Sequence, residues 1–264
     1  MSENETTTAE ETAVTTLARF EVPSRLEKIE DPNDPNHLTF VAEPFENGYG
    51  HTLGNSLRRV LLGSLEGAAI TSVRIAGAQH EFSSLPGVVE DVTEIVLNLK
   101  KVKFKHHGKE PRLLSLRVHK QGVVTAADIA DDTTYQVVNP DQIICTLDQD
   151  TMFECEFQVR VGRGFATGDE NKVPDMPIGV IPIDSIFSPV TRVKYSVQNT
   201  RVGQMTDYDK LTLEVWTDGR ISPADAMLQA SAILRHHLDV FVNYDDNQVN
   251  FEEAPSAVQD LSLI

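Results

Sequence analysis

The most regular pattern in the chain is Phe153-Glu154-Cys155-Glu156-Phe157-Gln158-Val159-Arg160-Val161, where apolar and polar residues alternate without a break. Side chains along a strand point to opposite faces in turn, so the pattern predicts a strand with one buried face. Shorter alternating runs at residues 192–197 and 210–216, joined by a polar connection through Asp207, predict a pair of antiparallel strands. Further strands are expected at residues 38–42, 70–75, 143–145 and 178–183. Helical spacing is confined to three places. A glycine-rich turn runs into a helix over residues 52–65, which Glu66-Gly67 is expected to end. Val92, Ile95, Val96 and Leu99 keep the i, i+3, i+4, i+7 spacing within a helix over 89–100, whose other face carries Glu90, Asp91 and Glu94. The third helix begins with Ser222 as cap, Pro223 at the first position and Asp225 three residues after the cap. Mostly strands with few helices, not alternating one by one, make this an α+β chain.

Two of these helices have more apolar surface than one sheet can cover. On the first, at about 100° per residue, Leu53, Val60 and Leu61 lie close to Leu57, whereas Asn55, Arg59, Leu62 and Glu66 fall roughly opposite. On the last, Met227, Ala230, Leu234, Leu238 and Phe241 recur at a spacing near the period of helix-on-helix packing, and Ala226, Ile233 and Val240 widen the stripe. Self-association through this last helix is therefore expected.

Charge narrows the choice of partner. The chain has 264 residues, of which 40% are hydrophobic, enough to fill one large core or two modest ones. Its 40 acidic against 23 basic residues give a formal net charge of −17. Phosphate-backbone binding draws on clustered Lys and Arg, so no strong direct binding of DNA is expected. Residues 1–18 lack periodicity and carry Glu3, Glu5, Glu10 and Glu11, and residues 246–264 are again acidic. Both ends are expected to be disordered, as a tail and a linker. Cys145 and Cys155 lack metal-site spacing and fall in strand patterns, so they are expected to be inert core residues in a reducing cytoplasm. No apolar run is long enough for a membrane span.

Candidate chemistry is thin. Gly48, Gly50 and Gly54 precede and enter a helix, where free amides can bind phosphate. Their spacing is GxGxxxG rather than the dinucleotide GxGxxG, and no Walker-type Gly-Lys-Ser/Thr is present. Tight packing against a strand is the better explanation of these glycines. His236-His237 point about 100° apart on a helix and do not share one metal ion, so His237 is read as a hydrogen-bonded interface residue. His106-His107, beside Lys105 and Lys109, read as a solvated turn, and residues 162–177, rich in Gly, Asp and Pro, as a mobile loop. Neither catalytic residues, metal ligands nor a cofactor are expected.

The segment Gly48-Tyr49-Gly50-His51-Thr52-Leu53-Gly54-Asn55-Ser56-Leu57-Arg58-Arg59-Val60-Leu61-Leu62 closely resembles the signature of the bacterial RNA polymerase alpha-subunit family. His80-Glu81-Phe82-Ser83, Gly162-Arg163-Gly164-Phe165, Ser188-Pro189-Val190 and Thr206-Asp207-Tyr208-Asp209-Lys210-Leu211 resemble further family segments in the right order. The resemblance spans residues 20–245. It implies a discontinuous dimerisation domain of antiparallel sheet plus two helices (19–66 and 189–245) and an inserted mostly β domain (67–188), with a dimer interface of Leu53, Leu57 and Leu61 on the first helix and Met227, Ala230, Leu234, Leu238 and Phe241 on the last. It also implies a homodimeric, non-catalytic scaffold on which the beta and beta-prime subunits assemble, joined by omega and sigma in the complete nucleoid-associated enzyme. Beta would be met through Arg59 and Leu62, and beta-prime through Lys100 and Ile183. The family's C-terminal DNA-contacting domain has no counterpart in this sequence, which is expected to stop within a linker. The competing expectations are a homodimeric adaptor unrelated to transcription and an enzyme that uses the Gly48 to Gly54 turn for a phosphorylated ligand.

Overall fold

The computed structural model describes residues 14–18, 20–174, 176–242 and 248–251. In chain order the strands and helices are β1 (Val14–Leu17), β2 (Glu27–Glu30), β3 (His37–Phe45), α1 (Tyr49–Gly63), β4 (Glu66–Ile75), α2 (Val92–Leu99), β5 (Phe104–His106), β6 (Arg112–Val118) and β7 (Gly122–Thr125). They continue through β8 (Tyr135–Val137), β9 (Ile143–Leu147), β10 (Phe153–Arg163), β11 (Phe165–Ala166), α3 (Gly168–Asn171), β12 (Val180–Pro182) and β13 (Ser185–Ile186). β14 (Val190–Val202), β15 (Met205–Thr217), α4 (Pro223–Val242) and β16 (Gln248–Phe251) complete the set. The architecture is α+β with mostly antiparallel sheets, as the hydrophobic pattern predicts.

Two hydrophobic cores form. The first lies under the sheet β14-β15-β3-β2, where Leu38, Phe40, Val193, Leu213 and Val215 pack with Leu61 of α1 and Ala226, Met227 and Ala230 of α4. The second lies inside the segment between α1 and β14. There β6-β10-β4-β5-β8, with β12 beside β4, packs against α2 and the β7–β9 pair. The alternating run at β10 puts Phe153, Cys155, Phe157 and Val159 in that core, every one nearly fully buried. Both thiols are buried and unbridged as expected, and burial pushes Cys145 up to about 12 and Cys155 higher still.

Several boundaries differ from the sequence pattern, each for a tertiary reason. Helix α1 starts at Tyr49, earlier than its apolar spacing, because its first amides are capped by a distant side chain described below. Glu66-Gly67 do not end it; the helix stops at Gly63, and both residues enter β4, paired with Arg163 and Gly162 of β10. The glycine and proline segment at 162–177 is not a featureless loop. It holds β11 and α3, and Asn171 is buried, accepting from Arg160 Nη2 (2.8 Å) and donating to Ile183 O (2.7 Å) and Ser185 Oγ (2.9 Å). Residues 14–17 form β1 and pair in parallel with β16, where an unpaired tail and linker are expected; the β-branched Val14, Thr15, Thr16 and Val249 suit extended backbone. The remainder of the acidic tail and linker lies outside the described residues.

Candidate functional site

The glycine turn is where local sequence and distant packing meet. Gly48 adopts φ +90°, a left-handed conformation that favours glycine, and so turns the chain from β3 into α1. The carboxylate of Asp209, on β15, then accepts from the backbone N–H of Gly48 (2.8 Å) and of Gly50 (3.0 Å) through Oδ2. A helix N-terminus presents unpaired amides and a partial positive charge, and here a buried carboxylate of the same chain satisfies both. The place a phosphate would occupy is filled, which removes the nucleotide-loop reading on geometry as well as on spacing. Gly50 and Gly54 are close-approach residues. A Cβ on Gly50 would lie 2.9 Å from Val197 Cγ1, and one on Gly54 2.6 Å from Tyr195 Cδ2 and 3.0 Å from Leu211 Cδ1.

Seated this way, α1 is covered on two sides, by the sheet and by α4, and the coverage decides which side chains remain outward. Leu61 is fully buried, and Leu53 and Leu57 are half-buried. Arg59 is exposed and, among the described residues, carries no hydrogen bond or ion pair with the rest of the chain. Leu62 departs from the helical-wheel expectation. It is half-buried against the first core, because α1 packs on α4 as well as on the sheet, so it shares only part of the outward face of Arg59.

Helix α4 divides into two halves. Ser222 Oγ accepts from the Asp225 amide at 3.1 Å, while the Asp225 carboxylate accepts from the Ser222 hydroxyl at 2.7 Å, so the expected cap forms. In the N-terminal half Ala226, Met227 and Ala230 face the chain's own core. Met227, Ala230 and Leu61, expected at a contact with a second copy, have their apolar surface buried within one copy. In the C-terminal half Leu234 is half-buried, and Leu238, Val240, Phe241 and Val242 are exposed, Phe241 by 73%. Four large apolar side chains in the last two turns of a helix are thus open to solvent, an arrangement uncommon on the surface of a single soluble chain. His237 sits beside them and bonds Ile233 O on its own helix at 2.7 Å, while His236 is exposed.

A second outward feature lies on the other core. Lys100, just after α2, donates through Nζ to Asp184 Oδ2 at 3.0 Å, and the Gly168 amide donates to the same carboxylate at 2.8 Å. These bonds, the Lys100 ammonium first, hold the Asp184 carboxyl below its ordinary range. Lys100 and residues 183–184 are thus neighbours in space. The side chain of Ile183, however, is 3% exposed and packs inside the core, since its backbone runs beside β4 with its amide bonded to Thr71 O. Ile183, expected at a contact with a large partner, is thus buried in the chain by itself, and the outward group at that place is Asp184.

The remaining candidates give no catalytic constellation. His106 is not in a solvated turn but in β5, half-buried, and burial pushes its pKa down. It lines a cleft of about 250 Å³ between the two cores with Glu66, Gly67, Lys105, Arg220 and Gln229. Two of the charged groups there are already paired, Glu66 with Lys109 and Arg163 (2.7 Å each) and Arg220 with Asp218 (2.7 Å). Among the described residues no cluster of His, Cys, Asp or Glu has metal-binding geometry, and no helix is long and apolar enough to cross a membrane.

Known proteins match this sequence over most of its length. Residues 73–188 match the family described as the RNA polymerase Rpb3/RpoA insert domain. The DNA-directed RNA polymerase subunit alpha of Symbiobacterium thermophilum is 52% identical over 228 residues, covering 86% of this chain and 72% of that protein. The chain belongs to the bacterial RNA polymerase alpha-subunit family. The alpha subunit of Moorella thermoacetica is similar at 53% identity over 209 residues, 79% of this chain and 67% of its own. That of Geobacter metallireducens is similar at 51% over 233 residues, 88% of this chain and 68% of its own.

Asp209 and Arg220 escape the motif reading, but the first leaves a trace. Residues 211, 213 and 215 are the inward positions of an alternating strand, and residue 209 is in phase with them, so a carboxylate there falls on the buried face. A charge in the buried phase of a strand requires a partner. Arg220 follows a turn and has no periodic signal.

Proposed function

We propose that this chain serves DNA-directed transcription as a non-catalytic, homodimeric scaffold of RNA polymerase, in line with the alpha subunits it is related to. The observation that carries the reading is the open C-terminal half of α4, with Leu238, Val240, Phe241 and Val242 exposed and Leu234 half-buried. A second copy offering the same stripe is self-complementary, as a twofold dimer requires. Leu53 and Leu57 of α1 are the remaining half-covered leucines and extend the contact. Arg59, with the exposed part of Leu62, is then free to meet the beta subunit from one copy, and Lys100 with Asp184 to meet beta-prime from the other. Family membership supports this over an adaptor unrelated to transcription.

The test is co-purification of the tagged chain from its native host. The proposal expects a dimer carrying both large polymerase subunits. A dimer recovered with neither, under conditions that keep the polymerase intact, overturns it.

A further inference from the structure

The chain crosses between its two cores twice, outward through the start of β4 and back through residues 186–189, and one side chain from a third segment holds both crossings. Arg220 lies between β15 and α4, with its side chain 3% exposed. Its Nη1 donates to Ala68 O at 2.9 Å on the outward crossing and to Ile186 O at 3.4 Å on the return. Its Nη2 donates to Ser188 O at 2.6 Å, also on the return. Asp218 completes the set by accepting from Nε (3.0 and 2.9 Å) and Nη2 (2.7 Å), and Lys103 Nζ lies 3.7 Å from the same carboxylate. A guanidinium presents five donors in a rigid plane, and here its three nitrogens reach carbonyls on both crossings and a carboxylate.

The crossings are packed as tightly as they are bonded. A Cβ on Gly67 would lie 2.0 Å from Phe187 O and 3.0 Å from Arg220 Nη1, and one on Gly162 2.8 Å from the Phe187 ring. Phe187 is 2% exposed, and its amide and that of Ser188 both donate to Gly164 O.

We infer that Arg220, held by Asp218, is the positioning residue that locks the inserted β domain at a fixed angle to the α1–α4 unit. The angle sets the separation of Arg59 from Lys100, and so the inference rests on the scaffold reading for its consequence, though not for its mechanism. A scaffold for two large subunits works through a fixed geometry between its contacts. A lock built on a buried charge pair supplies direction that apolar packing at a two-strand joint lacks.

The experiment measures distance in the intact chain. Spin labels are placed at Asn55→Cys on α1 and Glu94→Cys on α2, both exposed positions, with the native thiols buried and unreactive. Copies carrying labels are diluted into unlabelled chain, and the distance distribution is recorded by pulsed electron resonance for wild type, Arg220→Gln and Asp218→Asn. The two variants break the lock from opposite ends, so either one that folds, judged by unchanged hydrogen exchange across residues 92–99 and 224–230, gives the reading. The inference expects a single narrow distance in wild type and a distribution at least twice as broad in the folded variant, with recovery of beta-prime on co-purification reduced several-fold. A distribution of unchanged width overturns the lock. A broadened distribution with undiminished recovery of both large subunits leaves the lock standing and overturns its role in assembly.

Discussion

Replacing Asp209 by Ala tests whether the glycine turn is held by a tertiary cap. The side chain makes two hydrogen bonds to the amides of Gly48 and Gly50, at 2.8 and 3.0 Å, and is 6% exposed. Hydrogen bonds with a charged partner contribute about 1.5–3 kcal/mol each, and a buried donor left without a partner costs about 1–3 kcal/mol. The two bonds share one oxygen and do not add in full, and the lost favourable charge at the helix N-terminus contributes about 0.3–1 kcal/mol. Asp209→Ala is therefore expected to lower unfolding stability by about 3–4 kcal/mol, whereas Asp209→Asn, which keeps an acceptor and loses the charge, costs about 1–2 kcal/mol. Urea titration followed by far-ultraviolet circular dichroism reads both, with the midpoint falling and the slope unchanged. Hydrogen exchange should locate the loss at residues 48–54. An alanine variant within about 0.5 kcal/mol of wild type, the ordinary range for surface substitutions, would refute the cap.

Four further outcomes are expected. Gly54→Ala should destabilise by at least about 1–3 kcal/mol through overpacking against Tyr195 and Leu211, and a neutral melting temperature would contradict the close approach of α1 to β14 and β15. Arg59→Ala should leave dimer mass and melting temperature unchanged yet weaken binding of beta by about 1–3 kcal/mol in a direct titration. The Asp184 carboxyl is held below its ordinary value of 3.8, so its stabilisation is fully present above that value and is lost as pH falls through the lower folded value. In acid titrations followed by fluorescence, Lys100→Met should move the onset of unfolding to higher pH, and an unshifted onset would remove the pair's contribution. With Cys145 pushed up to about 12 and Cys155 higher, neither thiol should react with a disulfide reagent at pH 8 until denaturant is added, and fast labelling of the native chain would contradict their burial.

The parts of the fold that were legible in the sequence are those set by local periodicity. Alternation along β10 and along the β14–β15 pair marks the buried faces, and the 3-4 spacing of α2 and α4 marks their core-facing sides, because burial acts on each side chain through its position on the element. The helix spacing on α4 does not tell an intramolecular contact from an intermolecular one. Met227 and Ala230 continue the same stripe as Leu238 and Phe241, and the difference is made by distant packing, since the core shared with α1 and the sheet takes in the first half of the helix and leaves the second exposed. Ile183 shows the same limit, since the position directly follows a three-residue strand beside β4, too short for its pattern to reveal which side chains turn inward. Asp209 and Arg220 act across 159 and 152 residues of chain, on Gly50 and on Ala68. Contacts of that separation have no period to read.

Under the proposed function α1 and α4 serve two different partners, a second copy and a large subunit. Native mass measurement of the chain mixed with purified beta tests it most directly, run for wild type, Arg59→Ala and Leu238→Asp. The expected masses are two copies with one beta for wild type and two copies without beta for Arg59→Ala. Leu238→Asp, which would place a charge in the shared apolar contact, should give single copies. A wild-type complex of one copy with one beta, or a Leu238→Asp chain that remains a dimer, would contradict the claim.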